Sequence, residues 1–360
     1  MKLSKLIVVV ILTVAIQDVC AKNLDDAYRN SIRSSELSRE TGNNFTHIFH
    51  DNPVRLINAF GLTNKLITPP DSLLSFNPAW DTLYKKYGVK GCFILQDKYR
   101  GSMMTNDWFM AQTQKTPAST FKILNSLISL ETAAIPDQDF TLKWDSVIRQ
   151  FPNWNRDHDL RSAYKYSVVW YYQELARRVG ADTMKFWLDK VSYGNADTSG
   201  GIDQFWLTGN LRISPIEQIL FLQKLESEQL PFSKNTITIV KDIMIQERSD
   251  VKSINSSNQN NRSNLNYRLN LNEHSKNNPL ANQFDHTNQR SNYIVRWKTG
   301  WGNQDGKDIG WIVGYLEKGA NVYYFVNCIE AEVGKTISQE NFLSARIEIL
   351  QTILEEYKTN

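Results

Sequence analysis

Ser119 and Lys122, in the stretch Pro117-Ala-Ser-Thr-Phe-Lys122, form the most chemically suggestive pair in the 360-residue sequence. An apolar run follows, and its Ile123, Leu124, Leu127, Ile128 and Leu130 have the spacing of a buried helix. Pro117 stands where such a helix can begin. Helical residues three apart share a face. The spacing therefore predicts a hydroxyl and an amine stacked near the positive end of a helix dipole. A serine nucleophile with a lysine as its base has that arrangement. A free lysine, with a pKa of about 10.4, is a poor base near neutrality, and burial among apolar groups would lower it. Taken alone, Ser-x-x-Lys, common by chance in chains of this size, is better read as a helix N-cap followed by a surface lysine. Other stretches must decide. Lys298-Thr299-Gly300 offers a cation and a hydroxyl suited to a carboxylate. Its glycine leaves space where backbone can approach a ligand. Ser167 and Val169 open a helix. Tyr193-Gly194-Asn195 has the composition of a turn. Trp206 by itself reads as a core aromatic, with an indole that can only donate.

The elements that must position these residues follow from periodicity and punctuation. Val89 to Gln96 and Ser102 to Trp108 read as a β-hairpin. Helices are expected over Tyr166 to Val179, Thr183 to Lys190 and Thr236 to Glu247. Another starts at Ser214-Pro215-Ile216-Glu217, a capping box with proline at the first helical position, and runs through Leu225. Strands return at Tyr293 to Trp301, Ile309 to Glu317 and Val322 to Ile329, the last two joined around Lys318 to Asn321. A helix from about Glu340 to Tyr357 ends the chain. The expected fold is α/β (α+β): a mainly antiparallel sheet built from both chain ends, flanked by helices, with an inserted helical part over about 118–247. Residues 251–290 contain 12 Asn and few apolar groups, and read as a flexible polar insert. Its last residues precede Lys298 by eight positions, so the substrate-facing loop is expected instead at Gly302 to Asp308.

Composition sets the frame. The chain is 41% hydrophobic and 22% charged with a net charge of +3, which suits a globular domain and argues against a nucleic-acid surface. Lys2 and Lys5 precede the apolar run Leu6 to Ile16, and Val19-Cys20-Ala21 follows. Residues 1–21 thus read as a secretory signal peptide, too short to span a bilayer. Gln17-Asp18-Val19 is a poor lead-in for lipid attachment at Cys20, so simple cleavage and an exported, periplasmic chain without a transmembrane segment are expected. Residues 22–75 read as an N-terminal extension and 76–360 as the main domain. Cys92 and Cys328 fall in probable strands and read as buried thiols. The five His show no metal-ligand spacing, so no metal is expected.

Taken together and in order, Ser119-Thr-Phe-Lys122, Ser167-x-Val169, Tyr193-Gly-Asn195 and Lys298-Thr-Gly300 resemble the class D β-lactamases. The stretches Val89 to Phe93, Phe151-Pro152-Asn153-Trp154, Lys165 to Val169 and Phe205-Trp206-Leu207 carry the same resemblance. Ser-x-x-Lys with Lys-Thr-Gly is a signature of penicillin-recognising enzymes. Val169, where transpeptidases typically carry Asn, points to class D. The resemblance implies that Ser119 is acylated by a β-lactam. It implies that Lys122 reacts with CO2 to give a carbamate that serves as general base, with Val169 keeping the pocket apolar and Trp206 donating to the carbamate. Ser167 would relay a proton to the β-lactam nitrogen. Lys298, Thr299 and Arg346 would hold the substrate carboxylate. The backbone of Ser119 and Trp301 would form the oxyanion hole, Trp154 would wall the cleft, and Tyr193 and Asn195 would support the site. No cofactor beyond CO2 or bicarbonate is implied, and the protein would act as a monomer or homodimer. Two other readings remain open: a penicillin sensor that stays acylated, and a cell-wall transpeptidase or carboxypeptidase.

Overall fold

The computed structural model describes residues 73–249, 293–332 and 337–359. The signal-peptide reading, nearly all of the extension and the Asn-rich insert fall outside these residues. Seven strands form one sheet: β1 (Leu74–Phe76), β2 (Lys90–Asp97), β3 (Met103–Thr105), β4 (Ile245–Ser249), β5 (Tyr293–Gln304), β6 (Lys307–Lys318) and β7 (Asn321–Glu332). Their order is β1-β3-β2-β7-β6-β5-β4. Only the β1–β3 pair is parallel; the other five are antiparallel. Early and late strands of the described residues therefore meet at the centre, where β2 pairs with β7 and Cys92 lies opposite Cys328.

Successive strand residues face opposite sides, and the sheet separates two apolar layers accordingly. Ile94, Trp311, Val313 and Val326 face the helical part. Phe93, Leu95, Ile312 and Phe325 face the C-terminal helix. Residues Ile309–Leu316 of β6 are buried without interruption, as expected of a central strand covered on both faces. The helices are α1 (Asp81–Lys86), α2 (Trp108–Gln112), α3 (Lys122–Glu131), α4 (Leu160–Lys165), α5 (Val169–Val179), α6 (Ala181–Val191), α7 (Pro215–Glu226), α8 (Lys234–Ile243) and α9 (Gln339–Thr359). The capping box at α7 forms as expected: Ser214 Oγ accepts from the Glu217 amide, while the Glu217 carboxylate accepts from the Ser214 amide.

Several boundaries differ from the sequence reading. The strand expected over Ser102 to Trp108 stops at Thr105, because the Asp107 carboxylate caps α2 by accepting from the Met110 amide. The helix expected from Tyr166 starts at Val169, after a break at Ser167. The helix expected to run to Glu247 ends at Ile243, and Glu247 lies in strand β4. The alternation of Ile245, Glu247 and Ser249 is too short and too polar to announce a strand by itself. It forms by pairing along the edge of β5. The expected substrate-facing loop from Gly302 to Asp308 is mostly strand, with the β5–β6 turn reduced to Asp305 and Gly306.

Candidate active site

Ser119 sits in a 3-10 turn, Ala118–Phe121, that leads into α3. Side chains three apart eclipse one another in such a turn, and Lys122 follows as the first residue of α3. Its Nζ donates to Ser119 Oγ at 2.7 Å. Lys122 is fully buried, and burial pulls its pKa down from 10.5 to about 7. A water-excluded ammonium is destabilised relative to the neutral amine, so this lysine can reach its reactive form near neutrality. Its Nζ lies 5.2 Å from the centre of the Tyr172 ring. The Tyr172 hydroxyl meets Ser126 Oγ, which itself donates to the Lys122 carbonyl. Trp206 is fully buried with its ring centre 5.3 Å from that of Phe121, the chain neighbour of Lys122. Its indole Nε1 has no hydrogen-bond partner. A buried donor left unpaired destabilises a fold by about 1–3 kcal/mol, which makes this N–H a candidate for an acceptor absent from the bare protein.

A second pair faces the first. Lys298 Nζ donates to Ser167 Oγ at 3.0 Å and to the Thr299 carbonyl at 2.9 Å, and lies 5.5 Å from the Tyr164 ring centre. Burial, then the neighbouring charges of Lys122 and Arg346, push the Lys298 pKa well below its usual value. Three buried basic side chains thus converge, each with its charged form disfavoured, and an anionic ligand would relieve that cost. Ala118, just before Ser119, and Ser167 itself have φ of 47° and 54°. Non-glycine residues in this left-handed region store roughly 1–3 kcal/mol of strain. Both sit at turns that aim a hydroxyl.

β5 reaches the serine turn closely because of two glycines. A Cβ on Gly300 would stand 3.0 Å from the Pro117 carbonyl and 3.1 Å from Thr120 Cγ2, and one on Gly302 would stand 3.2 Å from Ala118 Cβ. The space left by the missing Gly300 side chain is thus filled by the serine turn. The sequence reading expects the backbone here to approach a ligand; the close neighbour on the side-chain face of Gly300 is protein. Thr299 is half-buried beside Lys298. Trp301 donates its indole N–H to Asp308 Oδ1 at 3.0 Å across the β5–β6 hairpin. Arg346 lies under β5, with Nη1 donating to the Gly300 carbonyl and Nε to Leu343 O at 3.1 Å. Burial lowers its pKa to about 10.

The remaining expected residues form the walls. Trp154 donates to the carbonyl of Tyr166, next to Ser167, at 2.9 Å. Val169 is half-buried at the start of α5, one turn before Tyr172. Tyr193 is buried behind the serine turn, with its ring centre 5.8 Å from that of Phe121. Gln218 Nε2 reaches both the Tyr193 hydroxyl, at 3.4 Å, and Thr120 Oγ1, at 2.9 Å. Asn195 acts at greater remove: its carboxamide bridges the Arg212 amide and the Asn210 carbonyl. Sequence reasoning missed Tyr172, Tyr164, Gln218 and Thr116. Tyr172 carried a signal, since it follows Val169 by three on one helix face. Gln218 carried none, because a polar residue on an amphipathic helix reads as exposed.

The Penicillin binding protein transpeptidase domain model matches residues 94–355. The chain is 51% identical to the probable β-lactamase YbxI of Bacillus subtilis over 160 residues, 44% of this chain and 60% of that protein. It is 34% identical to β-lactamase OXA-5 of Pseudomonas aeruginosa over 277 residues, 76% of this chain and 88% of that protein. Among solved structures, the class D β-lactamase YbXI from Nostoc superposes with a TM-score of 0.60 at 34% identity, covering 77% of this chain and 97% of that one.

Proposed function

The chain belongs to the class D β-lactamases, serine hydrolases of the β-lactam amide. From that premise we propose that it hydrolyses penicillin-type antibiotics through a Ser119 acyl-enzyme, with carbamylated Lys122 as general base. The observation that carries this reading is the buried Lys122–Ser119 pair together with an unpartnered indole N–H on Trp206, whose ring packs on Phe121, the residue before Lys122. A neutral buried amine can add CO2, and a carbamate oxygen would give that orphaned donor its acceptor. The carbamate supplies an anionic base within the serine pocket.

The residues of the chain divide the remaining work. Ser119 Oγ attacks the β-lactam carbonyl and gives up its proton to the base. The Ser119 and Trp301 amides stabilise the developing oxyanion; such a donor contributes roughly 3–4 kcal/mol in acyl-transfer enzymes. The C–N bond then breaks, and Ser167, hydrogen-bonded to Lys298, delivers a proton to the nitrogen and is reprotonated in turn by the base, which passes on the proton it took from Ser119 and is free again. Lys298, Thr299 and Arg346 hold the substrate carboxylate. Water, deprotonated by the same base, hydrolyses the ester and frees Ser119. Export to the periplasm belongs to the same reading, supported by the charge and apolar pattern of residues 1–21. A mature N-terminus other than Lys22, found by sequencing secreted protein, would count against that site of cleavage.

Incubation with a chromogenic cephalosporin tests the reading. Sustained turnover is expected. A single stoichiometric burst would identify instead a sensor that remains acylated.

A further inference from the structure

Thr116 lies three residues before Ser119, is almost fully buried, and is tied on every polar atom. Its amide donates to Gln304 Oε1 at 2.8 Å, which fixes it to the end of β5. Its carbonyl accepts from Trp311 Nε1 at 2.9 Å, which fixes it to β6. Its hydroxyl is shared between the carbonyls of Trp206, at 3.3 Å, and Leu207, at 3.4 Å. The first two bonds anchor Thr116 to the sheet. The third reaches the segment that carries Trp206.

That segment has little regular structure of its own. Residues 201–209 are a succession of turns in which the amides of Phe205, Leu207 and Gly209 donate to Gly201 and Gln204 carbonyls. The backbone around Trp206 is therefore held by local turns and not by a continuous helical ladder, and the Thr116 hydroxyl ties those turns to the sheet. The ring of Trp206 packs in one cluster with Phe121 and Phe205, whose centres lie 5.3 and 5.0 Å from it and 5.1 Å from each other. Its backbone is fixed by Thr116.

We propose that Thr116 is a positioning residue for lysine carbamylation: its hydroxyl clamps the Trp206–Leu207 backbone to the sheet and so holds the Trp206 indole N–H where the Lys122 carbamate is bound. This rests on the carbamate reading above. The step it supports is addition of the neutral Lys122 amine to CO2, which forms an N–C bond and releases one proton. Without the clamp the indole keeps its chemistry but loses its fixed position, so the carbamate is held less tightly. Thr116 touches neither substrate nor carbamate.

The test reads carbamate directly. Full-length protein stripped of CO2 at low pH is returned to neutral pH and titrated with 13C-bicarbonate, and the carbamate resonance is followed by NMR. Thr116→Val removes the hydroxyl and keeps the shape. Thr116→Ser and Thr116→Ala differ from each other by the hydroxyl alone, so this pair decides the matter if the valine variant does not fold. Loading half-saturates at about tenfold higher bicarbonate in Thr116→Val than in the wild type, the effect of one hydrogen bond. The same ratio separates Thr116→Ala from Thr116→Ser, and added bicarbonate restores turnover in both hydroxyl-free variants. Loading of the hydroxyl-free variants within twofold of their partners overturns the proposal while leaving the carbamate reading intact. A wild type that takes up no carbamate overturns both.

Discussion

Lys298 and Ser167 meet at 3.0 Å across the cleft although 131 positions separate them in the chain. One comes from the central sheet and the other from the break between α4 and α5, so the contact joins the two parts of the fold at the reacting centre. Ser167 holds its hydroxyl there in a left-handed backbone conformation with φ of 54°. Ser167→Ala removes the relay and keeps the strain. We expect kcat/KM on a penicillin to fall by about a hundredfold or more, the lower range for a lost proton-transfer group. Ser167→Gly relieves the strain as well. It should be equally slow yet more stable than Ser167→Ala, by on the order of 1 kcal/mol in urea unfolding. Equal stabilities for the two variants would show that the φ angle stores no strain.

Lys122 should make stability depend on pH in a defined sense. Burial lowers its pKa from 10.5 to about 7 in the folded protein. Between these values the unfolded chain binds more protons, so the stability contributed by this group rises with pH. It is fully present above about 10.5, declines as pH falls towards about 7, and is lost below. Lys122→Met abolishes the titration and should abolish turnover. In CO2-free buffer its stability advantage over the wild type should widen from pH 10 to pH 7 and then level off. The scale is on the order of 1.4 kcal/mol per pKa unit. Paired urea melts across this range measure it. A pH-independent difference would place the lysine in contact with water. The same titration predicts an acid limb in carbamate loading near pH 7, because only the neutral amine adds CO2.

Ser119→Ala leaves in place Lys298, Thr299 and Arg346, the groups proposed to hold the substrate carboxylate. It should still bind a penicillin reversibly, with no gain in intact mass after mixing. Wild-type protein quenched during turnover should gain the mass of one substrate. An adduct on the alanine variant would identify another nucleophile.

The Ser119–Lys122 pair was legible because its spacing is local: one turn of the chain brings the two side chains together, at 2.7 Å. Lys298, Ser167 and Trp206 come from distant stretches, and only their joint order in a family pattern connected them. The 3-10 form of the serine turn and the left-handed Ala118 and Ser167 could not be read from side-chain type, since neither position is a glycine. Gly300 showed the converse: its presence was informative but its neighbour was not, because the space it leaves admits ligand and protein backbone alike. Strand β4 was missed because an edge strand is specified by the β5 backbone that it pairs with more than by its own residues.

The Asn-rich insert, residues 251–290, gives the last prediction. Strand β4 ends at Ser249 and β5 begins at Tyr293, and these two residues are opposite partners in the antiparallel ladder. The chain that leaves β4 therefore returns beside its own point of departure, and a hairpin turn of a few residues can close the gap. Loop-closure entropy changes slowly with length, so shortening this connection should alter stability little. Tyr293 precedes Lys298 by five strand residues, about 17 Å at 3.3 Å per residue. The join lies at the β5 end remote from Gly300 and Gly302, which face the serine turn. Replacing residues 251–290 by a short Gly-Ser linker should leave kcat/KM on a penicillin within about threefold of the wild type, with an unchanged or slightly raised melting temperature. A hundredfold loss in a variant that still melts cooperatively would show that the insert contributes to the cleft.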